Sequence, residues 1–351
     1  MISRLFCLKT KVTGDFEYKM VNKMKNSRIL VTGGAGFIGS NLVKTLLESG
    51  NEVVALDNFI TGKRENISAF SNCKNFYFIE GDIRDADLCR KAVDGIDYVL
   101  HQAALGAIPR SIKDPATTTQ INICGFVNML HAAKDAGVKR FIYASSSSVY
   151  GDNKTLPKQE HLIGKPLNPY AITKYTNELF AENFYSLYGI ETIGLRYFNV
   201  FGPNQDSNGA YAAVIPKFAD ALINHNSPRI NGDGSYSRDF TYIDNVVKAN
   251  ILAMTVKDPQ AVNQVYNIAA GKRTTILELF KILRDELTKY DSEIIKIEPL
   301  FGNIRTGDIP HSSASIEKAE NMLGYSPEID VETGIRKTIP FWLGQKKEIV
   351  Q

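Results

Sequence analysis

Residues 29–40 read ILVTGGAGFIGS. An apolar run ends in Gly33, and Gly36 and Gly39 follow at three-residue spacing, opening an amphipathic stretch that predicts a helix over 37–49. Glycines alone mark only turns. Between a strand and a helix they do more: the first permits the tight turn, the second lets the backbone approach a pyrophosphate, and the third lets the helix pack closely on the sheet. The helix N-terminus then presents free N–H groups and the positive end of its dipole to the phosphates. Asp57 closes the next apolar run, EVVALD (52–57), where a carboxylate accepts hydrogen bonds from the adenine ribose and repels a 2′-phosphate. The pattern therefore predicts NAD rather than NADP. Lys63 and Arg64 nearby read as solvated loop charges.

Outward from that turn the chain alternates short apolar runs with helix-length stretches. RILVTG (28–33), EVVALD (52–57), NFYFIEG (75–81), DYVLHQA (97–103), RFIYAS (140–145) and IETIGLRYF (190–198) predict buried strands, and helices are expected near 85–93, 115–136 and 169–188. Near-continuous Val, Ile, Leu and aromatic runs suit a parallel sheet covered on both faces. Alternation at this spacing gives an α/β fold of Rossmann type, a doubly wound parallel sheet with right-handed crossovers. Past Phe201 the rhythm changes: a turn-rich loop, GPNQDSNGA (202–210), precedes helices near 210–224, 243–256, 275–289 and 331–346 and a shorter strand at QVYNIA (264–269). The expected division is a flexible N-terminal extension over 1–26, a dinucleotide-binding domain over 27–200, and a smaller mixed α/β substrate domain over 201–351, interleaved with the first.

Composition excludes several function classes. With 44% hydrophobic and 23% charged residues, the chain has the make-up of a water-soluble globular protein. Lys and Arg number 41 against 38 Asp and Glu, so no global field calls for nucleic acid or a membrane surface. Cys7, Cys73, Cys89 and Cys124 lie far apart, without CxxC pairing or a His at ligand spacing, so neither a zinc site nor a disulfide framework is expected. A reduced cytoplasmic setting follows. No run approaches the ~18 apolar residues of a membrane span.

The chemistry centres on YASSSSVYG (143–151) and YAITK (170–174). The serine run follows the fifth strand, so it lies at the carboxyl edge of the sheet, where ligands of such folds bind. Tyr170 and Lys174 are four apart and share a helix face. A tyrosine is a poor base at neutral pH, but an ammonium beside it and a positive nicotinamide ring favour the phenolate, which then takes a hydroxyl proton. A serine hydroxyl at the same oxygen orients it or relays the proton. His101, within HQAALG (101–106), reads as a packed, hydrogen-bonded strand residue, and the small residues around it suit close approach of a cofactor.

Glycine fingerprint, ribose aspartate, serine cluster and YxxxK, in this order over nearly all of 27–345, resemble the extended short-chain dehydrogenase/reductase family, and within it the nucleotide-sugar epimerases. The resemblance implies Ser146, Tyr170 and Lys174 as catalytic residues, with Ser147 and Ser148 flanking. It places the cofactor on Gly33, Gly36, Phe37, Ile38, Asp57, Asn58, Asp82, Ile83, Gln102, Ala103 and Ala104, besides Tyr170 and Lys174, and it implies no metal. Relatives that dehydrate or decarboxylate sugars carry an acidic residue in or beside the serine cluster. Here no carboxylate stands before Tyr150, which points to oxidation at C4, rotation of the ketone and reduction from the other face.

The substrate half is similar to segments that hold a sugar nucleotide. The implied contacts are Gly106, Asn199 in RYFNVFGP (196–203), Val214 and Lys217 in GAYAAVIPKF (209–218), and Asn231 with Arg238 in INGDGSYSRDFTYIDN (230–245). Arg305, Asp308 and Ser312 in RTGDIPHS (305–312) complete the set. A guanidinium suits a diphosphate bidentately. A small residue at 312 leaves room for a 2-acetamido group, and the resemblance is closest to bacterial UDP-N-acetylglucosamine 4-epimerases, which carry serine where this chain has Ala107. The expectation is a UDP-N-acetylglucosamine 4-epimerase with bound NAD. Rivals are a 4-epimerase of UDP-glucose or of a UDP-N-acetylhexosaminuronic acid, a net oxidoreductase, and a catalytically silent NAD-binding regulator. The resemblance also implies a homodimer, packed through the helices at 115–136 and 169–188.

Overall fold

A computed structural model describes residues 26–206, 213–304 and 309–349. The central sheet is built from β1 (Arg28–Thr32), β2 (Glu52–Asp57), β3 (Phe76–Glu80), β4 (Tyr98–His101), β5 (Arg140–Ser146), β6 (Glu191–Tyr197) and the strand Gln264–Ile268. Its spatial order is β3-β2-β1-β4-β5-β6 followed by Gln264–Ile268, with every pairing parallel. Side chains alternate across this sheet. Ile29, Val31, Val53, Ala55, Leu100 and Ile142 enter one core, while Leu30, Val54, Val99 and Phe141 enter the other. The first face is covered by α1 (Phe37–Glu48) and the second by α2 (Ala86–Ala92) together with the later helices α5 (Gly125–Asp135) and α6 (Pro169–Tyr188). Two buried faces explain why β1, β2, β4, β5 and β6 read as unbroken apolar runs; β3, expected buried as well, is the sheet's edge strand and none of its residues is buried.

Between β4 and β5 the chain forms α3 (Ile108–Lys113) and α4 (Pro115–Thr119) before α5. The sequence predicts one helix over 115–136, but a π-helical turn, Gln120–Cys124, interrupts it. It carries Asn122 inward: the Leu105 N–H donates to Asn122 Oδ1 at 2.8 Å, and Asn122 Nδ2 donates to the Leu105 carbonyl and the Thr173 hydroxyl, both at 3.1 Å. An extra residue in the turn lets one side chain satisfy two other segments, which a regular helix would not allow. Helix α6 begins with Asn168 accepting from the Ala171 N–H at 2.9 Å, has Pro169 in its first turn, and ends at Gly189 with φ +73°. Its observed limits are those expected from the sequence.

The later half contributes β7 (Val200–Phe201), α7 (Val214–Ile223), β8 (Arg229–Asn231), β9 (Ser237–Arg238), β10 (Thr241–Tyr242) and α8 (Ile243–Thr255). Then come β11 (Gln264–Ile268), β12 (Thr274–Thr275), α9 (Ile276–Thr288), β13 (Leu300–Gly302), α10 (Glu317–Leu323) and α11 (Val331–Ile349). The sequence groups QVYNIA with the substrate half. In space β11 is the edge strand of the main sheet beside β6, because its Val265–Ile268 run pairs in register with Gly194–Tyr197. Small two-stranded ladders, β7 with β10, β9 with β12 and β8 with β13, hold the loops beyond the sheet's carboxyl edge.

The glycine turn is sterically committed. Gly33 sits at φ +68°, and a Cβ there would lie 2.8 Å from the Ala103 nitrogen; one on Gly39 would lie 2.0 Å from the Gly33 carbonyl oxygen. Gly39→Ala is expected to cost about 1–3 kcal/mol of stability. The variant should also purify without the expected dinucleotide, because the displaced carbonyl belongs to the turn that the sequence assigns to the phosphates. Chemical denaturation and the 260-to-280 nm absorbance ratio measure both effects.

Candidate active site

One groove of about 510 Å³ runs along the carboxyl edge of the sheet, across the point where strand order reverses between β1 and β4. At one end lie Gly33, Gly36, Phe37, Ile38, Asp57, Asn58 and Ile83; at the other lie Gly106, Ser146, Tyr170, Lys174 and Asn199, with Gln102, Ala103 and Ala104 between. Fifteen residues named from sequence thus share one wall. Asp82 does not line the groove. It accepts from Asn58 Nδ2 at 2.8 Å and from Arg84 at 2.7 Å, so it orients the lining residue Asn58. The Arg84 guanidinium holds the Asp82 carboxyl below its usual range.

A dinucleotide fits what these residues offer. The first turn of α1 has no side-chain cap at Gly36 and no acidic residue, leaving its N–H groups and dipole for an anion. Asp57 accepts from the Ala35 N–H at 3.0 Å and the Phe59 N–H at 2.8 Å, which fixes its carboxylate at the groove's edge. Burial raises its pKa and the amide bonds oppose the rise. His101 is buried as expected: Nδ1 lies 2.9 Å from the Thr32 hydroxyl, Phe126 and Phe141 flank the ring, and burial lowers its pKa to about 3. It is a neutral structural residue.

At the other end three side chains converge. Ser146 ends β5, hydrogen-bonds the Tyr170 phenol, and its Oγ accepts from the Ser148 N–H at 3.2 Å and the Ser148 hydroxyl at 2.9 Å. Ser147 and Ser148 begin a short 3₁₀ helix and are not among the residues lining the groove. Tyr170 is fixed from behind by its backbone N–H, which donates to the Ser111 hydroxyl at 3.1 Å. The Lys174 ammonium donates to the Ala144 carbonyl at 2.7 Å and lies 6.0 Å from the centre of the Tyr170 ring. Burial pushes the Tyr170 phenol up, opposed by the Ser146 bond, and pushes Lys174 down to about 8, opposed by Glu178. In the protein alone Tyr170 is therefore a neutral phenol, and a cation brought beside it lowers its pKa.

Of the substrate-side residues, Asn199, Arg238 and Ser312 are tied together around β9. Asn199, at φ +35° just past β6, donates through Nδ2 to the Asp239 carbonyl at 3.1 Å, tying the groove to β9 and β10. Arg238 Nη1 donates to the Ser237 carbonyl at 2.9 Å and to the Pro310 carbonyl at 3.2 Å, and the Ser312 N–H donates to the Ser237 carbonyl at 3.1 Å. Arg238 and Ser312 are thus neighbours on one ladder, pinned by buried Asp239, which accepts from the Ala270 and Ala314 N–H groups. Asn231 pairs with Gly302 at the end of β8. Val214 and Lys217 begin α7, and Lys217 is exposed. Arg305 and Asp308 lie outside the described residues.

Two residues at this site escape a reading of motifs. Asn122 clamps the loop carrying Leu105 to α6, and nothing in the sequence announces its π turn. Glu178, buried, accepts from the Ser145 hydroxyl at 2.5 Å and is gripped by Arg196 through Nε at 2.9 Å and Nη2 at 2.7 Å. The serine run therefore has a carboxylate behind it after all, supplied from α6 and not lining the groove. Its spacing from Tyr170 and Lys174, four residues at each step, is the signal that would have found it. Among the described residues no cluster of His, Cys, Asp or Glu is arranged to hold a metal ion, and no helix is long and apolar enough to cross a membrane.

The sequence pattern of the NAD dependent epimerase/dehydratase family matches residues 29–269. A UDP-N-acetylglucosamine 4-epimerase from Methanobrevibacter ruminantium, solved in complex with UDP-N-acetylmuramic acid, is 41% identical, with a TM-score of 0.85 over 92% of this chain and 100% of that one. A UDP-glucose 4-epimerase from Thermotoga maritima, solved with UDP-glucose, is 37% identical, with a TM-score of 0.83 over 91% of this chain and 99% of that one. A UDP-glucose 4-epimerase of Mycolicibacterium smegmatis is 35% identical across 90% of this chain and 98% of its own length.

Proposed function

The chain belongs to the NAD-dependent epimerase/dehydratase family, and from that premise we propose that it interconverts UDP-N-acetylglucosamine and its galacto epimer at C4. It is an NAD-dependent nucleotide-sugar 4-epimerase. The observation that carries the proposal is the meeting of Ser146, Tyr170 and Lys174 at one end of a groove whose other end is the uncapped glycine turn. Residues 27–200 supply most of the dinucleotide half and 201–351 most of the sugar-nucleotide half. The exposed apolar residues Ile172, Leu179 and Leu187 along α6 support the expected homodimer.

Gly33, Gly36 and the α1 N-terminus would hold the pyrophosphate, Asp57 the adenine ribose, and Gln102, Ala103, Ala104, Tyr170 and Lys174 the nicotinamide half. NAD supplies a reversible hydride acceptor for C4. Tyr170 takes the O4 proton while Ser146 orients that oxygen, and Lys174 keeps positive charge close to both. With Arg238 anchoring the diphosphate, the 4-keto sugar could turn over about its linkage, take the hydride back at C4 on its other face and regain the O4 proton from Tyr170; Arg305 is the second expected diphosphate contact. Burial sets the pH range: with Lys174 at about 8, the charge that favours the Tyr170 phenolate is present below that value and lost above it. The kcat of epimerisation should therefore decline as pH rises through about 8, measured as a kcat–pH profile.

Small Ser312 beside Arg238 supports the N-acetylated substrate. Ala107, which lines the groove at φ +75° without a hydroxyl, favours the second reading, UDP-glucose or a UDP-N-acetylhexosaminuronic acid. Comparing kcat/KM for the three decides. UDP-N-acetylglucosamine should lead by about tenfold or more, the range that pocket volume alone supplies; a lead for either competitor would overturn the choice of substrate.

A further inference from the structure

We propose that Glu178 is a positioning residue of this reaction: it locks the strand bearing Ser146 to the helix bearing Tyr170 and Lys174, and it is the buried anion that Lys174 faces. The inference rests on the epimerase reading only for its kinetic arm.

The geometry is specific to one level of the sheet. Ser145 and Arg196 are register partners on β5 and β6, and the next pair in the same register is Ser146 with Tyr197, both lining the groove. Glu178 binds both members of the first pair: one oxygen takes the Ser145 hydroxyl and Arg196 Nε, the other takes Arg196 Nη2. Helix α6 therefore grips β5 at consecutive positions, Lys174 on the Ala144 carbonyl and Glu178 on the Ser145 side chain. That double grip sets the offset between Ser146, which follows on the strand, and Tyr170, which lies one turn before Lys174 on the helix.

The electrostatics point the same way. Glu178 is 6% exposed and Lys174 2% exposed, so neither charge is solvated and each depends on what faces it. On α6 those groups are Tyr170, Lys174, Glu178 and, a turn further on, Glu182. From β4 comes His101, neutral because burial holds it near 3. From β5 comes Tyr143, its phenol pushed far up by burial. From β6 comes Arg196, whose Nη1 also donates to the Tyr150 hydroxyl at 3.0 Å and the Glu160 carbonyl at 2.9 Å. Tyr150 is held at about 12 by burial. Glu178 is thus the carboxylate that favours the ammonium form of Lys174, and Arg196 anchors it there.

The test is Glu178→Gln, with Glu178→Gln/Arg196→Met as a companion that removes both buried charges. In the holoenzyme labelled with ¹³C at lysine Cε, the Lys174 signal is identified by its loss in Lys174→Met and titrated. Glu178→Gln should give a Lys174 midpoint below that of the wild type. The alkaline limb of its kcat profile should move down with it, lowering kcat at pH 8 on the order of tenfold with KM held within about twofold. The double variant should regain thermal stability and keep the lowered midpoint. An unmoved Lys174 midpoint in Glu178→Gln would overturn the proposal, as would a double variant that recovers wild-type kcat along with stability, since both describe a purely structural residue. Failure of the wild type to turn over any UDP-sugar would count against the epimerase reading instead, and the NMR midpoint would still decide the role of Glu178.

Discussion

Tyr170→Phe lowers kcat by about 100- to 10,000-fold while leaving the dinucleotide bound. The substitution removes one oxygen. The ring remains half-buried in the first turn of α6, held by the backbone bond from its N–H to Ser111, and the glycine turn proposed to receive the pyrophosphate lies at the far end of the groove. What disappears is the proposed acceptor for the O4 proton and the partner of Ser146. Among the described residues no carboxylate lines that end of the groove to take over, because Glu178 faces away into its bonds with Ser145 and Arg196. The loss should fall on kcat with KM nearly unchanged, the pattern of an interaction made in the transition state. Near-native turnover by the phenylalanine variant would remove Tyr170 from the chemistry.

Arg196→Met destabilises the fold by about 3–5 kcal/mol. Arg196 is 2% exposed and gives four hydrogen bonds to three partners: both Glu178 oxygens, the Tyr150 hydroxyl and the Glu160 carbonyl. Methionine fills similar volume but leaves Glu178 as a buried carboxylate whose one remaining hydrogen bond comes from Ser145, with the Lys174 charge alone to offset it. The Tyr150 hydroxyl keeps its bond to Asn267, so the damage concentrates on Glu178. Neutralising both ends, as in Glu178→Gln/Arg196→Met, should recover much of the loss, because what costs most is the orphaned charge. Urea denaturation of the three proteins measures this. A single variant within 1 kcal/mol of wild type would mean that the pair is hydrated in solution.

Much of this architecture is legible from local pattern. Parallel strands buried on both faces announce themselves as apolar runs, and β2 falls on the residues predicted, Glu52–Asp57. Helix α6 is readable at both ends because Asn168, Pro169 and Gly189 are local signals. The π turn at Gln120–Cys124 is not, since it is selected by what Asn122 reaches across space, Leu105 and Thr173. Nor is the return of β11 to the main sheet, which depends on pairing with a strand about seventy residues earlier in the chain. At the site, residues fixed by the glycine turn and by helical spacing fall into the groove together. Asp82 and Ser148 do not, because each spends its hydrogen bonds on a neighbour, Asn58 and Ser146 respectively. Glu178 shows the limit of judging the serine run by its neighbours in sequence: its carboxylate arrives from a helix more than thirty residues later.

The most direct measurement is proton NMR of the purified protein with UDP-N-acetylglucosamine in D₂O, following the anomeric and H4 signals. Oxidation and return at C4 within one groove predicts the galacto epimer with its C4 proton fully retained. Solvent deuterium at C4 of the product, or no epimer from any of the three UDP-sugars, would contradict the account.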